Sequence, residues 1–411
     1  MFKKLLYIFL TVCIVFQTFS ALTEYPLIPK TEEDEYMQAE ISFDAYGTYD
    51  YDAERLAINV YEGDKRYNAL SDGNRSSEFR FTKETRLHIS KKADKQIASL
   101  YIIWEKPVGR WVLEADDHKI LAGANDFIHE YVPLSSPAED VYINVPAGAI
   151  LCDVYAFTKG NLPSWVQTWL PPWDDCDLLA FPTHADDEHL FFGGMLPYYS
   201  RERGLKVQVV YFTNHWRETY RNHELLDGLW AVGVIAYPVI GPFEDLPAKN
   251  YKEAEKIHSR ESAVDFQVEI LRRFRPSVVI AHDLNGEYNH GMHMLCSQAL
   301  TEAVIKAADP AYSPDTFALY GAWDTPKTYL HLYENNQILL DWYQPLSTFD
   351  GKTGIEIANI GFSHHKSQHS SSFTVYGKGS RFDSRLFGLY RSTVGEDVIG
   401  NDVFENIDAF Y

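Results

Sequence analysis

Two hydrophobic rhythms divide the chain. Between Ile41 and Phe157 the apolar residues come in short runs rich in aromatic and β-branched side chains, among them SLYIIWEK, RWVLEAD, DVYINVP and AILCDVYAF. Turn chemistry such as Glu62-Gly63-Asp64 and Asp72-Gly73-Asn74 separates these runs, and helical periodicity is slight. Short pleat-favouring segments between turns predict an all-β sandwich domain. From Asp177 onward the rhythm changes. LLAF, KVQVVYFT, AYPVIG and SVVIAHD are near-continuous apolar runs, with amphipathic stretches at Glu188 to Arg203, Tyr220 to Val232 and Ala248 to Arg273 between them. Strands apolar on both faces that alternate with helices predict an α/β domain on a parallel, Rossmann-like sheet. Ligands of such sheets sit at the carboxyl ends of the strands.

Between the two regions Trp165, Trp169 and Trp173 recur at every fourth position. That spacing offers indoles to a sugar, but Pro171 and Pro172 favour a docked connector with its indoles packed at a domain interface. The C-terminal stretch is less regular, with strand-like YLHLYE and ILLDWY and a turn at Asp350-Gly351. At the other end Lys3-Lys4 precede the apolar LLYIFLTVCIVF and small residues up to Ala21, the pattern of a cleaved secretory signal. The run is short for a bilayer span, and Cys13 lacks the small residues that precede a lipidated cysteine. The chain is therefore divided into a signal over 1–21, a β-sandwich over 22–160, a Trp/Pro-rich connector over 161–176 and an α/β domain over 177–411. Export is expected, with no stable membrane insertion after the signal is removed.

Of 411 residues 45% are hydrophobic and 23% charged, enough for two cores and too apolar for disorder. Lys plus Arg number 37 against 58 Asp plus Glu, a formal charge of −21, so nucleic acid and anionic membrane are poor partners. A neutral glycan suits that field. Outside the signal stand Cys152, Cys176 and Cys296, too few and too odd in number for a disulfide framework. Cys152 and Cys176 flank the connector and are placed to pair; separate burial is the simpler reading.

The chemistry concentrates in two loops. LLAF runs into His184, Asp186, Asp187 and Glu188, then into an apolar helix-like stretch. A strand end followed by a helix start brings His184 and Asp187, three apart, around one point, as a divalent cation requires. VVIA runs through a Gly-containing loop to His290 and His293 at the entrance of a helix. Together the loops offer three nitrogen or oxygen ligands with carboxylates to spare. Each feature alone has a plainer reading, an incidental H-x-x-H or a helix cap at Asp186-Asp187; their joint occurrence at strand ends favours a metal site. Gly193-Gly194 lacks the spacing of a nucleotide fingerprint and reads as close packing. His189 reads as a packing or surface residue, and His215 and Asp283 as neighbours of the site.

The two loops resemble the PIG-L family of zinc-dependent N-acetylglucosamine de-N-acetylases. Its first motif, AHPDDE, appears as Thr183-His184-Ala185-Asp186-Asp187-Glu188, with Ala185 in place of the usual Pro; its second appears as Gly286-Glu287-Tyr288-Asn289-His290-Gly291-Met292-His293. The resemblance implies Zn2+ or another divalent metal on His184, Asp187 and His293. It also implies Asp186 as general base, His290 as oxyanion stabiliser or acid, and Tyr288 as a further oxyanion donor. Arg221 and Glu224 resemble the family's R-x-x-E, read either as a substrate contact or as a structural ion pair. His365 and Gln368 resemble an H-x-S-Q segment expected at the pocket rim, where polar groups hold sugar hydroxyls; a solvated loop is the alternative. The N-terminal order of strands resembles a galactose-binding, discoidin-type sandwich, either glycan-binding or simply packed on the second domain. The expected activity is removal of acetyl from N-acetylglucosamine-type residues of an extracytoplasmic glycan, preferably a long one. A non-catalytic glycan-binding protein and a zinc amidohydrolase acting on a non-sugar amide stand as alternatives.

Overall fold

The computed structural model describes residues 37–38, 49–92, 94–116, 118–369 and 373–407. The signal read over 1–21, Cys13 included, lies outside the described residues. Among the described residues no helix is long and apolar enough to cross a membrane.

The N-terminal strands form two sheets. One has seven strands, centred on Trp111–Ala115, Val141–Val145 and Thr85–Lys91; the other has five, centred on Ile97–Trp104 and Ile150–Phe157. Trp111–Ala115 and Val141–Val145 bury alternate residues, as strands covered on one face must. Leu87, Leu113 and Ile143 of the first sheet share a core with Leu100, Ile102 and Trp104 of the second. Ile150–Phe157 breaks the alternation and is buried throughout. On its far face Tyr101, Cys152, Tyr155 and Phe157 are covered by Leu162 and Val166 of the connector. Trp165 meets Tyr101 and Tyr155 edge-on, while Trp169 is buried against Trp230 and Tyr237. The connector is thus a packed layer between the two halves of the chain.

The second half is built on a seven-stranded sheet. Val239–Glu244, Val207–Asn214, Leu178–Phe181, Val278–Ala281 and Lys327–His331 are successive parallel neighbours. Leu386–Ser392 and Gln337–Leu339 continue the sheet antiparallel. Leu178–Phe181 and Val278–Ala281 are adjacent and in register, Leu178 opposite Val278, so the loops that follow them open at the same end.

Three elements differ from their expected form. The helix expected over Glu188 to Arg203 is broken into Asp187–Leu190 and an irregular turn at Pro197–Glu202. Between them Gly193 takes φ 55°, and a Cβ on Gly194 would stand 2.8 Å from the Trp342 ring. The helix expected over Ala248 to Arg273 is two, Tyr251–Ile257 and Arg260–Phe274; Ser259 accepts a hydrogen bond from Ser262 N–H and starts the second. The strand expected at AYPVIG is displaced to Val239–Glu244. Cys152, Cys176 and Cys296 are buried free thiols, so the two that flank the connector are not paired.

Candidate active site

Pro182 ends the strand Leu178–Phe181, and the chain turns through His184 and Asp186 into the helix Asp187–Leu190. Asp186 caps that helix with φ 120°, a conformation a side-chain-bearing residue keeps only under constraint. The constraint is visible: Asp186 N–H donates to Glu188 Oε2 at 3.0 Å, Ala185 N–H to His215 Nε2 at 3.1 Å, and Arg221 Nη2 to Ala185 O at 2.8 Å. The second loop leaves Val278–Ala281, passes Glu287 and Tyr288, and enters the helix Gly291–Lys306 with His290 at its cap.

The two loops bring three ligand atoms together. His184 Nδ1 lies 3.1 Å from Asp187 Oδ2 and 3.1 Å from His293 Nε2, and His293 Nε2 lies 3.2 Å from Asp187 Oδ2. Donors about 2.0–2.2 Å from a common zinc stand about 3.3 Å apart, so the spacing fits a divalent cation. The donor set, two imidazoles and a carboxylate, fits as well. His290 extends the group, its ring 4.7 Å from that of His184 and its buried Nδ1 without a hydrogen-bond partner.

Two carboxylates hold the imidazoles. Glu287, fully buried, accepts from His293 Nδ1 at 2.8 Å, from His282 Nδ1 at 2.8 Å and from His331 Nδ1 at 2.6 Å. Asp245 lies 3.4 Å from His184 Nε2 and 3.3 Å from His215 Nδ1, and it accepts from Arg221 Nη1 at 3.1 Å. Glu287, Asp245, His282 and His331 escaped the sequence reading of the site. Glu287 alone carried a signal, since it lies inside the second motif.

A cleft of about 470 Å³ opens over these residues, with His184, Asp186, His215, Tyr288 and His290 in its wall and Arg221 and Gln368 beside them. A second cleft of about 480 Å³ runs along the connector past Tyr131, Pro133 and Trp230 and contains no such cluster of titratable groups. Burial, then the neighbouring Asp187, pushes the Asp186 carboxyl well up. Burial, then the carboxylates of Asp187 and Asp186, raises the Tyr288 hydroxyl, which therefore remains a proton donor. Burial and His184 push His290 down to about 3.

Glu224, read as a substrate contact or structural ion pair, and His365, expected at the pocket rim, do not line the cleft. Glu224 turns away and accepts from Ser367 N–H at 2.9 Å and from its hydroxyl at 2.5 Å. His365 is fully buried behind the cleft wall, 3.6 Å from Glu188 Oε1 and close to the equally buried His189. The helix Tyr220–Ala231 closes on that pair at Gly228, where a Cβ would stand 2.7 Å from His189 Nε2 and 2.8 Å from His365 Nε2. A larger residue there would have to displace one of the two buried rings. Asp283 stays in the loop, accepting from Asn285 N–H at 3.1 Å.

Residues 179–304 match the family described as PIG-L: GlcNAc-PI de-N-acetylase. The chain is 36% identical over 118 residues to the 1D-myo-inositol 2-acetamido-2-deoxy-alpha-D-glucopyranoside deacetylase of Geodermatophilus obscurus, covering 27% of this chain and 39% of the relative. It is 31% identical over 172 residues to deacetylase 2 of the same description from Saccharopolyspora erythraea, covering 36% of this chain and 61% of the relative. The chain thus spans less than two thirds of either relative. Among solved structures, N,N'-diacetylchitobiose deacetylase from Pyrococcus horikoshii superposes with a TM-score of 0.38 at 20% identity, over 49% of this chain and 74% of that one.

Proposed function

We propose that the protein is a zinc-dependent hydrolase that removes the acetyl group from N-acetylglucosamine-type residues of a glycan outside the cytoplasm. The observation that carries this reading is the convergence of His184 Nδ1, Asp187 Oδ2 and His293 Nε2 at 3.1–3.2 Å, with His184 in the wall of a cleft that also presents Asp186, Tyr288 and His290. A divalent cation on those three atoms supplies Lewis acidity for an acetamide carbonyl and for water.

The chain's own residues do the rest. Asp186 takes one proton from the attacking water and delivers it to the departing amine, so that amide and water become amine and acetic acid, which separate as ammonium and acetate. The Tyr288 hydroxyl and a ring N–H of His290 donate to the carbonyl oxygen as negative charge develops on it. Arg221 and Gln368, beside these groups in the cleft wall, hold sugar hydroxyls. The relatives' descriptions as deacetylases of an acetamido sugar support the substrate class. The signal-like N-terminus supports export, and the two N-terminal sheets are read as a sandwich of the galactose-binding type that keeps a long glycan near the cleft.

The decisive experiment is metal analysis together with a free-amine assay on N-acetylglucosamine oligomers and on acylated non-sugar amides. Release of amine from the oligomers by protein that contains metal is the expected result. Oligomer binding without turnover overturns it in favour of a glycan-binding protein, and turnover confined to non-sugar amides overturns the substrate.

A further inference from the structure

A second group of ligand-type side chains lies away from the cleft, where the N-terminal sheets meet the domain of the parallel sheet. Glu105 follows the strand Ile97–Trp104, Cys152 lies in the strand Ile150–Phe157, and His223 lies on the helix Tyr220–Ala231. We propose that Glu105 Oε2, Cys152 Sγ and His223 Nε2 form a second divalent-metal site of the zinc type, which ties the two halves of the chain together.

Geometry comes first. Cys152 Sγ lies 3.7 Å from Glu105 Oε2, His223 Nε2 lies 3.6 Å from the same oxygen, and all three atoms are within 4.8 Å of one another. Tetrahedral zinc with bonds of about 2.3 Å to sulfur and about 2.0–2.2 Å to nitrogen or oxygen sets its donors about 3.3–3.6 Å apart. In the ion-free site the Cys152 thiol donates to Glu105 Oε2, and His223 Nε2 at 3.6 Å is outside hydrogen-bond distance of that oxygen, an ion pair only with a protonated imidazole. Glu105 has its other oxygen, Oε1, engaged by the Thr219 hydroxyl, which leaves Oε2 facing the thiol and the imidazole.

A chain of hydrogen bonds sets the tautomer of His223. The indole N–H of Trp169 is a donor only, and it points at Gln167 Oε1 at 2.9 Å, while Gln167 Nε2 donates to Asp227 Oδ1 at 2.6 Å. Gln167 Oε1 is therefore an acceptor, and His129 Nδ1–H donates to it at 2.7 Å. With its Nδ1–H given to Gln167, the uncharged His129 ring accepts at Nε2, and the partner 2.8 Å away is a donating Nδ1–H of His223. In neutral His223 this leaves Nε2 with a lone pair. That atom is buried, has no hydrogen-bond partner and faces Glu105 and Cys152. A hydrogen bond on one ring nitrogen that presents the other as a lone pair is how metal-ligating histidines are prepared.

The thiol and the carboxylates complete the case. Without a cation the Cys152 thiol donates to Glu105 Oε2. On metal binding the thiol proton is released to solvent and the thiolate sulfur coordinates. The Glu105 side chain is 14% exposed, which leaves a path for the ion and a fourth position for water.

Cobalt loading of the full chain tests this independently of catalysis. His184, Asp187 and His293 offer no sulfur, so a near-ultraviolet thiolate-to-cobalt charge-transfer band reports on Cys152. We expect the band in the unaltered protein and in His293→Ala. It should vanish in Cys152→Ser, and His223→Gln should lose one equivalent of bound metal. If Cys152→Ser does not fold, a sulfur neighbour in the zinc-edge absorption spectrum of the unaltered protein takes its place. A cobalt-loaded protein without the band, a band that survives Cys152→Ser, or unchanged metal content in His223→Gln overturns the proposal.

Discussion

His293 donates its Nδ1–H to Glu287 Oε2 at 2.8 Å, and this bond turns Nε2 of the same ring toward Asp187 Oδ2 at 3.2 Å. Glu287 thereby sets both the tautomer and the direction of the imidazole proposed to hold the metal, with His282 and His331 bonded to the same carboxylate. Glu287→Gln keeps the volume but replaces one acceptor oxygen with a donor. Metal affinity, measured by competition with a chelator, is expected to fall about 10–100-fold. Unchanged affinity would show that the helix alone aims His293.

Asp186 and His293 separate chemistry from metal binding. Asp186→Asn and His290→Ala should retain metal and lose turnover by about 10²–10⁴-fold. His293→Ala should lose turnover and the metal of the cleft. Acetate release that persists in a folded Asp186→Asn variant removes that residue from its role as base.

Glu224 secures the turn at Ser367 through two hydrogen bonds, and the adjacent Gln368 lines the cleft. Glu224→Ala is expected to raise KM more than it lowers kcat, with a stability loss of about 1 kcal/mol. A fall in kcat at constant KM would place Glu224 in the chemistry instead.

Glu202 supplies a pH dependence of known sign. Its carboxylate accepts from the backbone and hydroxyl of both Thr348 and Ser347, and these bonds, that from the Thr348 backbone foremost, pull it down from 4.5 to about 2. A depressed folded-state value means that the contribution is complete above about 4.5 and is lost as the pH falls toward about 2. Denaturant midpoints recorded across that window should flatten in Glu202→Gln relative to the unaltered protein. Parallel curves would show that the bonds persist in the unfolded chain.

The three proposed metal ligands, Asp186, Tyr288 and His290 are close in sequence to strand ends, so a local pattern located them, and the parallel sheet brings the two loops to one end. Long-range residues were not legible in this way. Asp245 follows a different strand from either motif, and His331 ends yet another, so nothing in their own neighbourhoods marks them. Glu224 and His365 carry the motif spacing, yet Glu224 bonds Ser367 and His365 packs against Gly228, contacts that no local pattern marks. Apolar periodicity also ran through Gly193 and His258, where the main chain bends to admit Trp342 or to restart on a serine cap.

The helix Tyr220–Ala231 serves two masters. One side sends Arg221 to Ala185 and Asp245 in the cleft; another sends Asp227 to Arg75, at 2.7 Å, and His223 to His129 across the boundary with the N-terminal sheets. A biochemist who cuts the chain at residue 160 to obtain a free-standing catalyst also strips the outer supports from the helix that steadies the Ala185 loop. Swapping the front module for a foreign carbohydrate binder meets the same obstacle. The replacement must bring its own counterparts of Arg75 and His129, and a cassette joined only through the tryptophan-rich connector leaves that surface bare.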